Sequence, residues 1–339
     1  MKRSLVLSSV TAMLALAGCR LADDGEFAGS TPTADNVALA VPAGTTQSAL
    51  TSSDGTTRSA LLGQQADSYT LTRAVTDLVN GATGAVLLLV KTIVSYPPTS
   101  VHGDTAVWGP GSQPLEKNAW RLTVTRVEPH VFNWALDGKP KAADDTAFVT
   151  VLSGTHTRAV DAQGRNIENY GSGSFMADFD AAQTLPDHGN AVGVATFTYS
   201  RTAPGAVTTI DVDFKGIKDD APSTELYNAV YHYTATPGAG GELKYGAKRD
   251  YYPDPRPSGS ALEDLTIHSR WQETGTGRTD YQLTGGDVAA AGIAPVTVSE
   301  CWDTSFLSTY RNVSYDPTLD WGDPATCSFP DASFLTPSL

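Results

Sequence analysis

The chain has 339 residues, of which 37 are acidic and 23 basic, giving a formal net charge of −14. That length holds one large β domain or two smaller ones. The acidic balance argues against a nucleic-acid partner, whose phosphate backbone it would repel, and against lying flat on anionic lipid.

The chain opens with Lys2 and Arg3, followed by a mostly apolar run from Leu5 to Leu16. About a dozen residues is too short for the roughly 20 that a transmembrane helix needs. It fits the charged start and apolar middle of a secretory signal. The run ends in Leu16-Ala17-Gly18, directly before Cys19. This resembles the lipobox of bacterial lipoproteins: Leu, a small residue, Gly or Ala, then Cys. The resemblance covers the first 20 residues. It implies a diacylglyceryl thioether on Cys19, cleavage between Gly18 and Cys19, and acylation of the new amino terminus. Two or three acyl chains anchor stably, at about 0.8 kcal/mol per buried methylene. The best-known sorting rule places an Asp after the cysteine of inner-membrane lipoproteins, so Arg20 implies the outer membrane, on its periplasmic or surface face. Loss of Lys2 and Arg3 with a signal of residues 1–18 takes two positive charges from −14 and leaves −16.

If Cys19 carries lipid, Cys301 and Cys327 are the remaining cysteines. An envelope compartment permits their disulfide, worth about 3 kcal/mol for a loop of this length on the chain-entropy model. A metal site from two cysteines so far apart, with no histidine between them, is disfavoured.

Residues 19–60 hold the lipidated cysteine and then a Thr-, Ser-, Ala- and Gly-rich stretch with no sustained period, which reads as a flexible tether. Residues 61–339 read as a single β-rich domain with a helical segment at its start. Tyr69, Leu71, Val75, Leu78 and Val79 fall near helical spacing and "AVLLLVKTIV" continues the run, predicting one or two helical segments over about 67–95, stopped by Pro97 and Pro98. Period-2 alternation follows. Trp120, Leu122 and Val124 share one face, as do Phe175, Ala177 and Phe179. Ile210, Val212 and Phe214 oppose Asp211, Asp213 and Lys215, and Leu243, Tyr245 and Ala247 oppose Lys244 and Lys248. One face packs and the other is wet, as in antiparallel sheets. Turn sequences such as "PDHGN" (186–190) and "PGAGG" (237–241) separate the runs. The expected fold is mainly β: a curved antiparallel meander or barrel-like sheet of roughly ten strands, with the N-terminal helical segment or segments packed on it. Charged residues on the wet face argue against an outer-membrane barrel.

No nucleophile elbow, zinc-protease helix or P-loop is present, and no cofactor is expected. The six histidines (His102, His130, His156, His188, His232 and His268) are scattered singly, with no metal-ligand spacing, and read as structural strand or loop residues. Asp316, Asp320 and Asp323 form an acidic loop that lacks calcium-loop spacing and reads as turn and capping carboxylates. The candidate ligand surface is aromatic, comprising Tyr227, Tyr231, Tyr233, Trp271 and Trp302. Packing is the default role for such residues, and a lined cavity for a lipid or other apolar ligand is the sharper alternative.

These readings converge on a bacterial envelope protein, anchored in the membrane through acyl chains on Cys19. Its non-catalytic β domain would bind an apolar ligand or an envelope protein, or serve a structural role. The layout is similar to that of half-barrel lipoproteins that carry or receive lipids, as fold-level analogy alone. The alternatives are a surface hydrolase or glycan-active enzyme with a site gathered from several strands and, more weakly, an adhesion module.

Overall fold

In the computed structural model, residue 27 and residues 29–42, 64–112, 114–218, 225–251 and 261–337 are described. The lipobox and Cys19 lie outside them. One long helix, α1 (Asp67–Val94), precedes the strands. The strands then follow in chain order: β1 (Ser100–His102), β2 (Thr105–Gly111), β3 (Asn118–Glu128), β4 (Val131–Pro140), β5 (Val149–Val160), β6 (Asn166–Asp178), β7 (Val194–Arg201), β8 (Thr208–Ile217), β9 (Tyr227–Thr236), β10 (Gly240–Arg249), β11 (Glu263–Gln272), β12 (Gly277–Gly285), β13 (Val296–Trp302), β14 (Ser308–Val313) and β15 (Trp321–Gly322). Two short helices interrupt them, α2 (Phe179–Ala182) and α3 (Gly286–Ala290).

Every strand pairs antiparallel with its chain neighbour, giving one 15-stranded meander in the order β1 to β15. The mainly β, antiparallel expectation holds, and three of its details change. Among the described residues there are fifteen strands where about ten were expected. The sheet is not closed, and its edges are blunted by brevity instead, β1 having three residues and β15 two. Among the described residues α1 begins at Asp67, and two further short helices, α2 and α3, lie between strands. No helix among the described residues is long and apolar enough to cross a membrane.

Register makes the two faces of the sheet distinct. One cross-strand row runs Val124, Trp134, Gly154, Phe175, Phe197, Val212, Tyr231, Tyr245, Ile267, Tyr281 from β3 to β12. Gly154 fits because a Cβ there would lie 2.6 Å from Phe175 Cβ. The row offset by one residue is Thr125, Asn133, Thr155, Ser174, Thr198, Asp211, His232, Lys244, His268, Asp280, polar throughout. Successive side chains in a strand point to opposite faces, so the first row packs inward and the second forms the outer face.

The inner face is covered by α1, whose Tyr69, Thr72, Thr76, Val79, Leu87 and Val90 are buried. Its polar first half meets polar strand residues. Thr72 Oγ1 lies 2.6 Å from Ser269 Oγ and 3.2 Å from Thr279 Oγ1, and Ser68 N donates to Glu300 Oε2 at 2.8 Å. That carboxylate, 2% exposed, sits where the helix N-terminus favours negative charge.

A second cover comes from the expected tether. Phe27, Thr31, Asn36, Val37 and Leu39 are buried, so residues 29–42 form a strap across the inner face and not a free linker. Among the described residues the strap joins no sheet; a short 3-10 turn (Ala34–Asn36) bonds part of its backbone, and distant side chains bond another part. Asn80 accepts from Leu39 N and donates to Leu39 O at 2.8 and 2.9 Å. The Tyr233 hydroxyl does the same for Ala40 at 3.0 and 2.9 Å, and Arg201 donates to Asp35 O.

Candidate functional site

The five aromatics singled out in the sequence all lie on the inner side and are buried. Tyr233 and Trp271 have ring centroids 6.0 Å apart, and Trp302 lies 5.8 Å from Tyr69 of α1. Tyr227 stands apart with Ala229 and Ala247, under the Arg249 guanidinium. Burial pushes the Tyr231 and Tyr233 hydroxyls above their ordinary pKa. Tyr231, Tyr233, Trp271 and Trp302 belong to the core that α1 and the strap cover. The acidic loop residues cap local turns: Asp316 accepts from Thr318 N, Asp320 from Val313 N and Asp323 from Ala325 N. Among the described residues no cluster of His, Cys, Asp or Glu is arranged to hold a metal ion.

The outer face brings together groups that the sequence scatters. His232 of β9 places Nδ1 2.6 Å from Asp211 Oδ1 of β8 and Nε2 3.0 Å from Thr234 Oγ1. A carboxylate only accepts, so Nδ1 donates to Asp211. On β10, Lys244 Nζ donates to Glu242 Oε1 at 2.7 Å. His268 Nε2 of β11 lies 3.0 Å from Glu242 Oε2. Burial raises the Glu242 carboxyl, but its bonds with Lys244 and His268 outweigh that and hold it below the usual range. His268 Nδ1 meets Ser333 Oγ at 3.1 Å.

Ser333 arrives on a C-terminal arm whose root is the disulfide Cys301–Cys327, with Cα atoms 5.7 Å apart; this is the pairing expected from the sequence. Arg278, 2% exposed, donates to Phe329 O and Pro330 O and to the buried Asp280 carboxylate at 2.7 Å. Asp280 also accepts from Ser299 Oγ, Ser333 N and Arg270. Gln282 and Thr266 donate to Leu335 O. The arm therefore covers the outer face of β11 and β12 and ends beside an open groove of about 460 Å³. Thr196, Thr198, Asp211, Asp213, His232, Lys244, Thr266, Leu335 and Thr336 line it, with Gly246 and Val230 among them. The groove's exposed lining is mostly apolar, with hydroxyls and charges of both signs set along it.

Of the six histidines, His232 and His268 join this network. His156 is buried on the inner side, with Nδ1 2.6 Å from the Tyr199 hydroxyl. His130 adopts φ 68° in the β3–β4 turn. Sequence reading missed Asp211, Thr234, Glu242, Lys244 and Ser333 as site residues. One signal was present: counting outward from the tight turn at 237–239 pairs His232 with Lys244.

Compared with protein-family models, with curated proteins and with solved structures, the chain matches none.

Proposed function

We propose that the chain is a lipid-anchored bacterial envelope protein, held at the outer membrane by acyl chains on Cys19. Its non-catalytic β domain binds a ligand or envelope partner through the outer face of the sheet. Anchoring rests on Leu16-Ala17-Gly18-Cys19 behind a basic and then apolar start. The observation that carries the binding surface is the contrast between faces. The inner face is filled by α1 and the strap, so an apolar ligand there would have to displace one of them. The outer face holds the groove with Asp211, His232 and Lys244. This favours a partner docked on the outer face over a lipid carried beneath α1 and the strap.

Detergent-phase partitioning tests the anchor: Cys19→Ala should move the protein to the aqueous phase, and retention in the detergent phase would end that reading. The groove is tested by Gly246→Trp. A Cβ at Gly246 meets only Val230 Cγ2 at 3.3 Å and Leu265 O at 4.0 Å, so the new side chain enters the groove without breaking the core. A partner crosslinked from Thr198 should be lost in this variant, and an undiminished crosslink removes the groove from the account.

One observation favours a second reading, a surface hydrolase: Asp211, His232 and Thr234 place carboxylate, imidazole and hydroxyl in succession. Covalent labelling of Thr234 by a fluorophosphonate, abolished by His232→Ala, would support it over binding alone.

A further inference from the structure

The strap limits how the domain can stand on the membrane. Gly29 packs against Asn166, the first residue of β6: a Cβ at Gly29 would lie 2.6 Å from Asn166 Nδ2. Its φ of +66° suits glycine. Ten residue steps separate Cys19 from Gly29, and ten steps span at most about 33–36 Å in any conformation. The 13 residues of β6 run about 41 Å at the usual rise per residue. The anchor therefore cannot reach past the far end of the sheet, where Asp178 lies. A 40-residue tether would have imposed no such limit.

The near end carries its own chemistry. A groove of about 400 Å³ at the β3–β4 turn is lined by Asp104, Arg126, Val127, Glu128, His130 and Arg158. Arg126 pairs with Asp104, and Val127 is 49% exposed at the tip. Burial, and then the neighbouring Arg126, lower the Arg158 guanidinium, so an anion placed between the two arginines would relieve their repulsion. Guanidinium forks match phosphate oxygens, and Glu128 adds a partner for an ammonium group.

We propose that the sheet stands on the bilayer by this end, with the β3–β4 turn groove seated on zwitterionic phospholipid headgroups, phosphate toward Arg126 and Arg158 and amine toward Glu128. The surface rests on the anchoring at Cys19 proposed above. It would leave the outer-face groove, on β7 to β11, facing sideways and open to a partner.

The test uses the full lipidated chain in phosphatidylethanolamine–phosphatidylcholine vesicles that carry nitroxide on their headgroups. A fluorophore is placed on Gln163→Cys, in the β5–β6 turn at the near end, or on Leu115→Cys, an exposed residue of the β2–β3 connection at the far end. Quenching should be several-fold stronger at 163 than at 115. Arg126→Gln with Arg158→Gln should reduce the quenching at 163 several-fold, with the circular dichroism spectrum unchanged. Equal quenching at the two sites, or quenching at 163 indifferent to the arginines, overturns the docking. Intact mass of the purified chain separates the two claims. An acylated Cys19 with equal quenching refutes docking alone, whereas absence of the acyl mass refutes the anchor and the docking with it.

Discussion

His156 makes the fold sensitive to acid in a way that can be calculated. The ring is 2% exposed, stacks beside Tyr199 at a centroid distance of 6.1 Å, and sits where burial and then the Arg158 charge push its pKa down to about 4 from 6.5. The folded-state value lies below the unfolded one, so the unfolded chain binds the extra proton between them. The stabilisation is complete above about pH 6.5, declines as pH falls, and levels off below about pH 4. Linkage gives a loss of about 2 kcal/mol between pH 7 and pH 5 from this group alone. Urea denaturation of the wild type and of His156→Gln at both pH values isolates it, because the carboxylates, Glu242 among them, contribute to both proteins. The difference in pH dependence should be about 2 kcal/mol, whatever the variant's stability at pH 7. Parallel pH dependence in the two proteins, or an NMR titration placing His156 above pH 6, would refute the argument.

Other parts of the structure give sharper local tests. Arg278→Ala removes the buried partner of Asp280 and the donor to Phe329 O and Pro330 O. It should cost about 3 kcal/mol and make the C-terminal arm the first site of limited proteolysis. Replacing Cys301 and Cys327 by Ser should cost about 3 kcal/mol in urea melts, while leaving β1 to β10 protected from hydrogen exchange. Asn80→Ala removes both bonds to Leu39. The expected cost is about 1–2 kcal/mol, with selective loss of hydrogen-exchange protection at Leu39.

What the sequence revealed depended on whether each strand kept its apolar side chains on one face. In β8 and β10 the alternation of Ile210 with Asp211, or Leu243 with Lys244, marks both strand and face. In β5, β6, β11 and β12 the inward positions include Gly154, Gly173, Ser269 and Thr279, where bulky neighbours or the threonines of α1 complete the packing. Those positions carry no apolar signal, so strands were undercounted. The strap was read as a tether because the bonds that hold Leu39 and Ala40 come from Asn80 and Tyr233, over 40 and nearly 200 residues away, and such bonds impose no period. The outer-face site was half legible. His232 and Lys244 meet across a tight hairpin whose turn sets the register. Glu242 and His268 meet across the long connection from Arg249 to Glu263, and Ser333 comes from an arm placed by Arg278 and the disulfide. Neither of these is readable from local pattern.

Both the proposed function and the proposed docking rest on Cys19. Mass spectrometry of the N-terminal peptide of the protein extracted from membranes tests it most directly. The expected mature chain starts at Cys19 with a diacylglyceryl thioether and an acylated amino group. A mature chain that starts elsewhere, or retains Cys19 as an unmodified thiol, contradicts it.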